Sequence, residues 1–454
     1  MLKKKYLTAA LFSALILSAC GGGEAESNQE AGSSEGKTPI EITWRGTGEE
    51  DAVLKYLENF EKDFESENSD IDLVLTPIPG GEGDYNTRLA LSMQSANTAP
   101  DVISEDTFIL HSDAAANYLT NLDDYVGEWE EWDQFFENVK EGVTAADGSV
   151  YGIPTVTDTR GIWYNIEVFE EAGLPADWQP QSWDEILETA QIIKDSQPDV
   201  IPFSMNVAAV NGEATSMQGF QMLFYGTGDT LYDEEQQKWN VNSQGFVDAL
   251  TFIDEFMNQR ELGPSLSIAL NNNYTPTVIQ DMLPNNQVAM VLDGNWQVRN
   301  FLEGGVAEME NVEERIGFAP MPTQNGEEPG YVTMAGGWAW SIPENSQNKE
   351  EAWRVIQAMS DYESQLQRVN SEGSLTVRKD VAEDSSYLER PLIETPTKIL
   401  ENAHFRPKSD LYPNVSIEIQ RAVEAVSSGS MTPEEAAEQY RQGVIDIVGE
   451  ENTY

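Results

Sequence analysis

Residues 40–78 read IEITWRGTGEEDAVLKYLENFEKDFESENSDIDLVLTPI, and their pattern decides the class of fold. Apolar residues alternate with polar ones at both ends of this stretch, as they do in half-buried strands. The alternation is carried by Ile40, Ile42 and Trp44, and again by Ile71, Leu73 and Leu75. Between them, apolar residues recur at the spacing of one helix face, at Val53, Leu57, Phe60 and Phe64. A strand, a helix and a strand in this order predict an α/β fold with a mainly parallel sheet.

The same two patterns continue along the chain. Further strands are predicted at residues 100–103, 150–154, 161–165, 288–292, 316–320 and 331–342. Helices are predicted to begin at Ser182, which is followed three residues later by Glu185, and at Thr432, which is followed by Pro433. The pattern is therefore α/β throughout, with a longer helical block in the middle.

The N-terminus has the layout of a secretory signal. Three lysines at positions 3–5 precede an apolar run at 6–17, which is too short to span a bilayer that needs roughly twenty residues. The run Leu17-Ser18-Ala19-Cys20 resembles a bacterial lipobox. We therefore expect residues 1–19 to be a signal peptide, Cys20 a lipid anchor at the extracytoplasmic face of the cell membrane, and residues 20–37 a flexible spacer. The alternative is an ordinary secreted protein with one free cysteine.

Acidic residues dominate the composition. The 454 residues include 26 basic and 79 acidic ones, a net charge of −53. Nucleic acid binding needs basic clusters, so this balance argues against it. The acids are spread along the whole chain, which favours an adaptation of solubility over the attraction of a cationic ligand. In such a chain, any arginine in a cleft is notable.

Stretches in a fixed order resemble the bacterial family 1 extracellular solute-binding proteins, the group that includes the maltose-binding protein. They are ITW at 42–44, PDVI at 100–103, GSVYGIP at 148–154, IWYN at 162–165 with FEEAGLP at 169–175, AMVLDGNW at 289–296 and GGWAWSIP at 336–343. The resemblance implies a two-lobe, type II periplasmic-binding fold in which hinge strands join discontinuous lobes and a ligand lies in the cleft between them.

The same resemblance gives the limits of the lobes. Lobe 1 is predicted to comprise residues 38–156 and 330–373, and lobe 2 residues 157–329 and 374–454. The chain is expected to cross between the lobes near residues 155–159, 328–332 and 371–376.

A sugar cleft needs flat aromatic rings for the C–H faces of the sugar and charged or amide groups for its hydroxyls. By the resemblance, Trp296 is expected to stack on the ligand and Asp158 to bind a sugar hydroxyl. The alternatives are a core tryptophan and a solvated hinge aspartate.

Further candidates follow the ends of predicted strands or match the family by position. The edge where open α/β sheets bind ligands includes the residues after the first strand. The candidates are Trp44, Arg45, Thr47, Glu105, Asp106, Gly337, Trp338, His404, Arg406 and Arg421. Some relatives carry an aromatic residue where Glu105 and Asp106 lie, and an aromatic residue one turn before Arg421, where this chain has Ile417. Both departures put stacking at those subsites in doubt.

The pattern favours a binding protein over an enzyme, because no nucleotide-binding or nucleophile motif is present and the only histidines are His111 and His404. We expect no cofactor and no metal, a carbohydrate ligand that is an oligosaccharide, the permease of an ABC importer as partner, and a monomer. Arg45, Arg160, Arg406 and Arg421 are compatible with an anionic sugar. A surface-anchored glycosidase or lyase, and a sensor that presents its ligand to a receptor kinase, stay open as alternatives.

Overall fold

A computed structural model describes residues 36–48 and 51–454. The predicted signal peptide, Cys20 and most of the predicted spacer lie outside the described residues. Within the described part of the chain, no helix combines the length and apolar character that crossing a bilayer requires.

The first sheet contains the βαβ unit expected from residues 40–78. Its strands stand in the order β2-β1-β3-β11-β4. They are β1 (Thr38–Gly46), β2 (Ile71–Pro79), β3 (Val102–Asp106), β4 (Ile153–Thr157) and β11 (Gly337–Ser341). β1 runs parallel to β2 and β3, whereas β11 runs antiparallel to β3 and β4.

The second sheet has the order β10-β5-β9-β6. Its strands are β5 (Arg160–Asn165), β6 (Ile201–Ser204), β9 (Val288–Gly294) and β10 (Ile316–Pro320). Only β6 and β9 are parallel, and β5 is antiparallel to both of its neighbours. A separate ribbon pairs β7 (Tyr232–Asp233) with β8 (Lys238–Trp239).

The prediction of a mainly parallel arrangement is wrong outside β1–β3 and the β6–β9 pair. Parallel neighbours need a crossover helix between them, but β11 enters the first sheet from the second, so it runs against β3 and β4. The strand predicted at 331–342 is also shorter, because residues 331–336 form the passage between the sheets and make only isolated bridges, Met321 to Val332 and Met334 to His404.

Helices cover both sheets. The α-helices are α1 (Ala52–Glu67), α2 (Glu82–Met93), α3 (Leu110–Ala115), α4 (Asp123–Gly127), α5 (Glu137–Glu141), α6 (Ile166–Glu171), α7 (Trp183–Ser196), α8 (Gln221–Phe224), α9 (Gln244–Asp254), α10 (Leu266–Ala269), α11 (Tyr274–Thr277), α12 (Lys349–Met359), α13 (Tyr362–Glu372), α14 (Lys379–Ala382), α15 (Ser385–Leu388), α16 (Glu394–Ile399), α17 (Tyr412–Ser427) and α18 (Pro433–Val448). Tighter 3-10 turns lie at Glu130–Gln134, Ala209–Asn211, Tyr225–Thr227, Asn295–Asn300, Val312–Glu314, Leu400–Asn402 and Glu450–Asn452, and π-helical segments at Ala214–Phe220, Glu255–Gln259 and Val278–Met282.

Both predicted helix starts are confirmed. Ser182 accepts a hydrogen bond from the backbone N–H of Glu185 at the start of α7. Thr432 and Glu435 form the complete reciprocal capping box of α18. These side chains satisfy backbone N–H groups that a helix leaves unpaired in its first turn.

Each sheet lies in its own apolar core. Ile42, Trp340 and Ile356 belong to the core of the first sheet. Leu292, Phe220 and Ile419 belong to that of the second. The chain passes from the first sheet to the second between β4 and β5, and returns between β10 and β11.

The chain still packs with the first sheet after residue 373, the predicted end of lobe 1. Val377 packs in the core of the first sheet, and Arg378 donates to the carbonyl of Ser360 and to Glu131. α16 is the next helix to pack on β10. The limits of the lobes stay a prediction.

Candidate functional site

A tryptophan ring lies at the end of β9, where the strand turns into the 3-10 turn Asn295–Asn300. The ring of Trp296 folds back over Gly294, where a Cβ atom would overlap it, so glycine is required at that position. The guanidinium of Arg160 lies 4.9 Å from the ring centroid. Trp296 is half-buried.

Arg160 and Asp158 form an ion pair beside this ring, at the hinge between β4 and β5. Nη1 of Arg160 also donates to the carbonyl of Met334 at 3.1 Å. Asp158 accepts a hydrogen bond of 2.8 Å from the backbone N–H of Gly336. Burial lowers the pKa of Arg160, and the charge of Asp158 opposes that effect. The carboxylate of Asp158 therefore holds the hinge together and is only partly available to a ligand.

The first sheet presents Arg45 and Trp338 to the same space. The guanidinium of Arg45 lies 5.3 Å from the Trp338 ring centroid, and Tyr85 contacts the edge of that ring at 6.0 Å. Nη1 of Arg45 lies 3.6 Å from Oε2 of Glu82, beyond hydrogen-bond distance. Burial raises the pKa of Glu82 to about 7, and the charge of Asp106 adds to this effect. The Glu82 side chain keeps 37% of its surface exposed beside Arg45.

Arg406 connects the two sides of this space. Its Nε donates to Oε1 of Glu213 at 2.9 Å, its Nη1 donates to Oγ1 of Thr107 at 3.2 Å, and the same Nη1 lies 3.7 Å from Oδ1 of Asp106. Tyr412 donates a further hydrogen bond of 2.6 Å to Glu213. Burial acts to lower the pKa of Arg406, but Glu213 and Asp106 raise it above its ordinary value.

Arg299 is a site residue that the sequence analysis missed. It lies three positions after Trp296 in one 3-10 turn, and residues at this spacing share a face. The three-residue spacing from Trp296 was the signal from which Arg299 could have been predicted as a site residue. A cavity of about 80 Å³ is lined by Trp44, Arg45, Thr47, Asp51, Ala52, Val53, Ser104, Arg299, Trp338, Arg368 and Glu372. Burial lowers the pKa of Arg299, Glu372 opposes this effect, and the nearby charge of Arg45 adds to it.

Most of the predicted site residues thus meet in one region, which we call the interlobe cleft: Trp296, Asp158, Arg45, Trp44, Thr47, Asp106, Trp338 and Arg406. Trp44 is almost fully buried, and its Nε1 donates to Asp51 at 3.0 Å, so it offers the cavity little more than an edge. Gly337 lies beside the cleft with φ +138°, where a Cβ would meet the carbonyl of Val156. Its role there is the close pairing of β11 with β4.

Three predicted residues lie elsewhere. Glu105 is completely buried beside Asp113, because neighbouring residues of a strand point to opposite faces and Asp106 takes the face of the cleft. Arg421 is exposed on α17 and pairs with Glu418 of the same helix. The ring of His404 packs on Tyr225 at 4.8 Å and lines a separate groove of about 1020 Å³ together with His111.

Metal-ligating side chains do not gather in the described part of the chain, where no group of three or more His, Cys, Asp or Glu residues could hold an ion. The interlobe cleft instead offers two tryptophan rings, arginines and carboxylates on facing sides. Such a set can bind and orient a ligand that has both apolar faces and polar groups.

Comparison with known proteins identifies similar chains. A family model described as "Bacterial extracellular solute-binding protein" matches residues 47–366. A maltooligosaccharide ABC transporter solute-binding lipoprotein of Streptococcus pneumoniae is 24% identical over 363 residues, covering 79% of this chain and 76% of the relative. The maltodextrin-binding protein MdxE of Bacillus subtilis is 24% identical over 364 residues, covering 78% and 76%.

Solved structures agree in architecture. An ABC transporter solute-binding protein of Thermotoga lettingae bound to α-D-tagatose matches with a TM-score of 0.77 and 26% identity, over 91% of this chain and 100% of the other. Maltose-bound MalE3 of T. maritima matches with a TM-score of 0.76 and 23% identity, over 90% and 100%. These matches confirm the predicted α/β class and the two-lobe, type II fold.

Proposed function

The chain belongs to the bacterial extracellular solute-binding proteins, and from that premise we propose that it captures a carbohydrate in the interlobe cleft for an ABC importer. Membership of a binding-protein family confirms the expectation that the chain is not an enzyme. The observation that carries the proposal is that two arginine–tryptophan pairs, Arg160 with Trp296 and Arg45 with Trp338, lie on the two sides of the cleft. The contacts of Asp158 and Arg406 around Gly336 connect the two sides.

This combination suits a sugar better than other solutes. A sugar presents C–H faces that stack on aromatic rings, and hydroxyls that hydrogen-bond to charged side chains. Similar proteins point the same way, since the relatives from S. pneumoniae and B. subtilis carry names for maltooligosaccharide and maltodextrin binding. An oligosaccharide is accordingly the ligand that we propose.

Capture also requires that the two lobes close on the ligand. Arg406 already contacts Asp106 of the first sheet and Glu213 of the second-sheet side, which is the kind of bond that closure makes. A ligand that contacts both sides would favour this closed form by its differential affinity.

Anchoring and delivery complete the proposal. We infer that Cys20 carries a lipid that keeps the captured sugar near the permease, which is supported by the lipobox-like sequence and by the relative named as a lipoprotein. Metabolic labelling with a fatty-acid analogue, compared between the natural chain and Cys20→Ser, tests the anchor. Labelling that is equal in both chains would contradict it.

The binding proposal is tested by thermal unfolding against a panel of sugars, amino acids, short peptides and glycerophosphodiesters. A ligand present at a hundred times its Kd stabilises the folded state by about 2.7 kcal/mol. We expect at least one carbohydrate to raise Tm in a concentration-dependent way. Stabilisation by a non-carbohydrate class alone would refute the proposal.

A further inference from the structure

Two arginines face the 80 Å³ cavity from opposite sides of the interlobe cleft. Arg45 follows β1 of the first sheet, and Arg299 lies in the 3-10 turn after β9 of the second. Among the residues that the structure describes, none forms an ion pair or a hydrogen bond with the guanidinium of Arg299. An arginine that lines a cavity without a protein partner can bind an anionic group of a ligand there.

The acids of the cavity are already engaged. Asp51 accepts hydrogen bonds from Nε1 of Trp44 and from the backbone N–H groups of Thr47 and Val53. Glu372 accepts a bond of 2.8 Å from Nε of Arg368. Neither carboxylate forms an ion pair with Arg45 or Arg299, although the charges of both act on Arg299 from a distance.

The nearest remaining acid neutralises Arg45 only weakly. Oε2 of Glu82 lies 3.6 Å from the Arg45 guanidinium, and its pKa of about 7 leaves the carboxyl partly protonated at neutral pH. Three arginines (Arg45, Arg299 and Arg368) and two carboxylates (Asp51 and Glu372) line the cavity, so its lining is positive although the chain as a whole carries a net charge of −53.

We propose that this cavity binds the carboxylate of an acidic sugar, with Arg45 on one side and Arg299 on the other. The inference rests on the proposed function and names the class of sugar. A planar guanidinium donates two parallel hydrogen bonds to a carboxylate, which a neutral hydroxyl cannot accept in the same way. The cavity of about 80 Å³ is large enough for a carboxylate group, since on the same measure a cavity needs only roughly 10–15 Å³ to hold one water molecule. Trp338 lines the same cavity, so the sugar ring can pack on its face.

The test is titration calorimetry with matched ligands. The probes are hexuronates and the corresponding neutral hexoses in gluco, galacto and manno configuration, as mono- and disaccharides, together with hexose phosphates. We expect at least one uronate to bind more tightly than its neutral counterpart, and added salt to weaken that preference.

Variants separate the role of Arg299 from general charge. Arg299→Gln should weaken uronate binding by about tenfold to a hundredfold, the scale of a charge-assisted hydrogen bond, and should weaken binding of the matched neutral sugar by less. Arg441→Gln is the matched control, because Arg441 is exposed on α18 and pairs with Glu438. It should leave both affinities unchanged.

Several results would overturn the inference. Uronates that bind no more tightly than neutral sugars, or an equal loss of both in Arg299→Gln, would contradict it while leaving carbohydrate binding intact. Binding of hexose phosphates in place of uronates would contradict the choice of a carboxylate. Failure of every saccharide would refute the proposed function as well.

Discussion

The arginines at the two ends of the interlobe cleft differ in whether a protein carboxylate pairs with them. At one end, Arg406 has two carboxylates, Glu213 and Asp106, within 2.9 and 3.7 Å. At the other end, Arg299 has no ion-pair partner among the described residues, and Arg45 has only a distant one in Glu82. The cation at the first end is fully compensated by protein carboxylates, and the cations at the second end are not.

We infer from this difference that the charge of Arg406 stabilises the structure, whereas the charge of Arg299 is available to a ligand. A buried ion pair that is complete contributes to closure without any ligand, and breaking it leaves an uncompensated charge. An unpaired cation close to another cation, as Arg299 is to Arg45, is repelled by it until an anion binds between them. The variants below should therefore have effects of different sign at the two ends.

The largest effect is expected from Arg406→Met. Loss of the guanidinium leaves the buried Glu213 carboxylate without its cation, which costs about 3–5 kcal/mol of unfolding free energy. Urea unfolding measures this loss. The double variant Arg406→Met with Glu213→Gln removes both charges and should recover part of the stability. An Arg406→Met protein as stable as the natural chain would remove the contrast between the two ends.

Trp296→Ala should weaken carbohydrate binding by about 1–3 kcal/mol, the scale of stacking on an aromatic ring, without unfolding the protein. Calorimetry with the best ligand measures the loss. Trp132→Ala is the control, because Trp132 is a half-buried tryptophan that packs on Phe135, away from the cleft. Normal binding by Trp296→Ala would show that the ring is structural.

Arg299→Met should stabilise the ligand-free protein, by up to about 1 kcal/mol, although it weakens binding of an acidic ligand. The reason is that the variant removes an unpaired cation beside Arg45, and functional residues commonly cost stability in this way. The rise in Tm without ligand is the measurement. A fall in Tm would indicate that Arg299 is paired in solution.

The smallest effect is expected in the pH dependence of Glu82. Its pKa is raised from 4.5 to about 7 by burial, with a further contribution from Asp106, while Arg45 opposes the shift. The folded state therefore binds the proton more tightly than the unfolded state, and its stability falls as pH rises from about 4.5 to about 7. Glu82→Gln cannot ionise at this position, so it should gain stability relative to the natural chain between pH 5 and pH 7.5 in urea unfolding. A difference that stays constant with pH would contradict the raised pKa.

The parallel strands of the first sheet could be predicted from the sequence, but the direction of the other strands could not. Ile40, Ile42 and Trp44 are all buried, as their alternation predicts. The antiparallel partners of β5 lie more than a hundred residues away in β9 and β10, and local periodicity says nothing about the direction of such a partner.

The candidate site shows the same limit: residues at recognisable positions could be predicted, and a residue that depends on distant contacts could not. Trp296, Arg45 and Arg406 were predicted from motif positions, and the structure brings them to one cleft, although their roles stay predictions. Arg299 was missed because its proposed role depends on its proximity to Arg45, which is distant in sequence and close only after folding. Glu105 and Asp106 were both predicted to lie at the site, but they belong to β3, where alternation points them to opposite faces.

Arg406 also divides two empty spaces. It lines the groove of about 1020 Å³ and at the same time lies beside Gly336, where an added Cβ would be 3.2 Å from its Nη1. The Arg406 side chain and its partner Glu213 therefore form part of the boundary between the groove and the cleft. Small residues at positions 406 and 213 together would join the groove to the cleft and make room for additional monosaccharide units. The degree of polymerisation that such a protein accepts can therefore evolve through a few point substitutions, while both sheets and the hinge stay as they are.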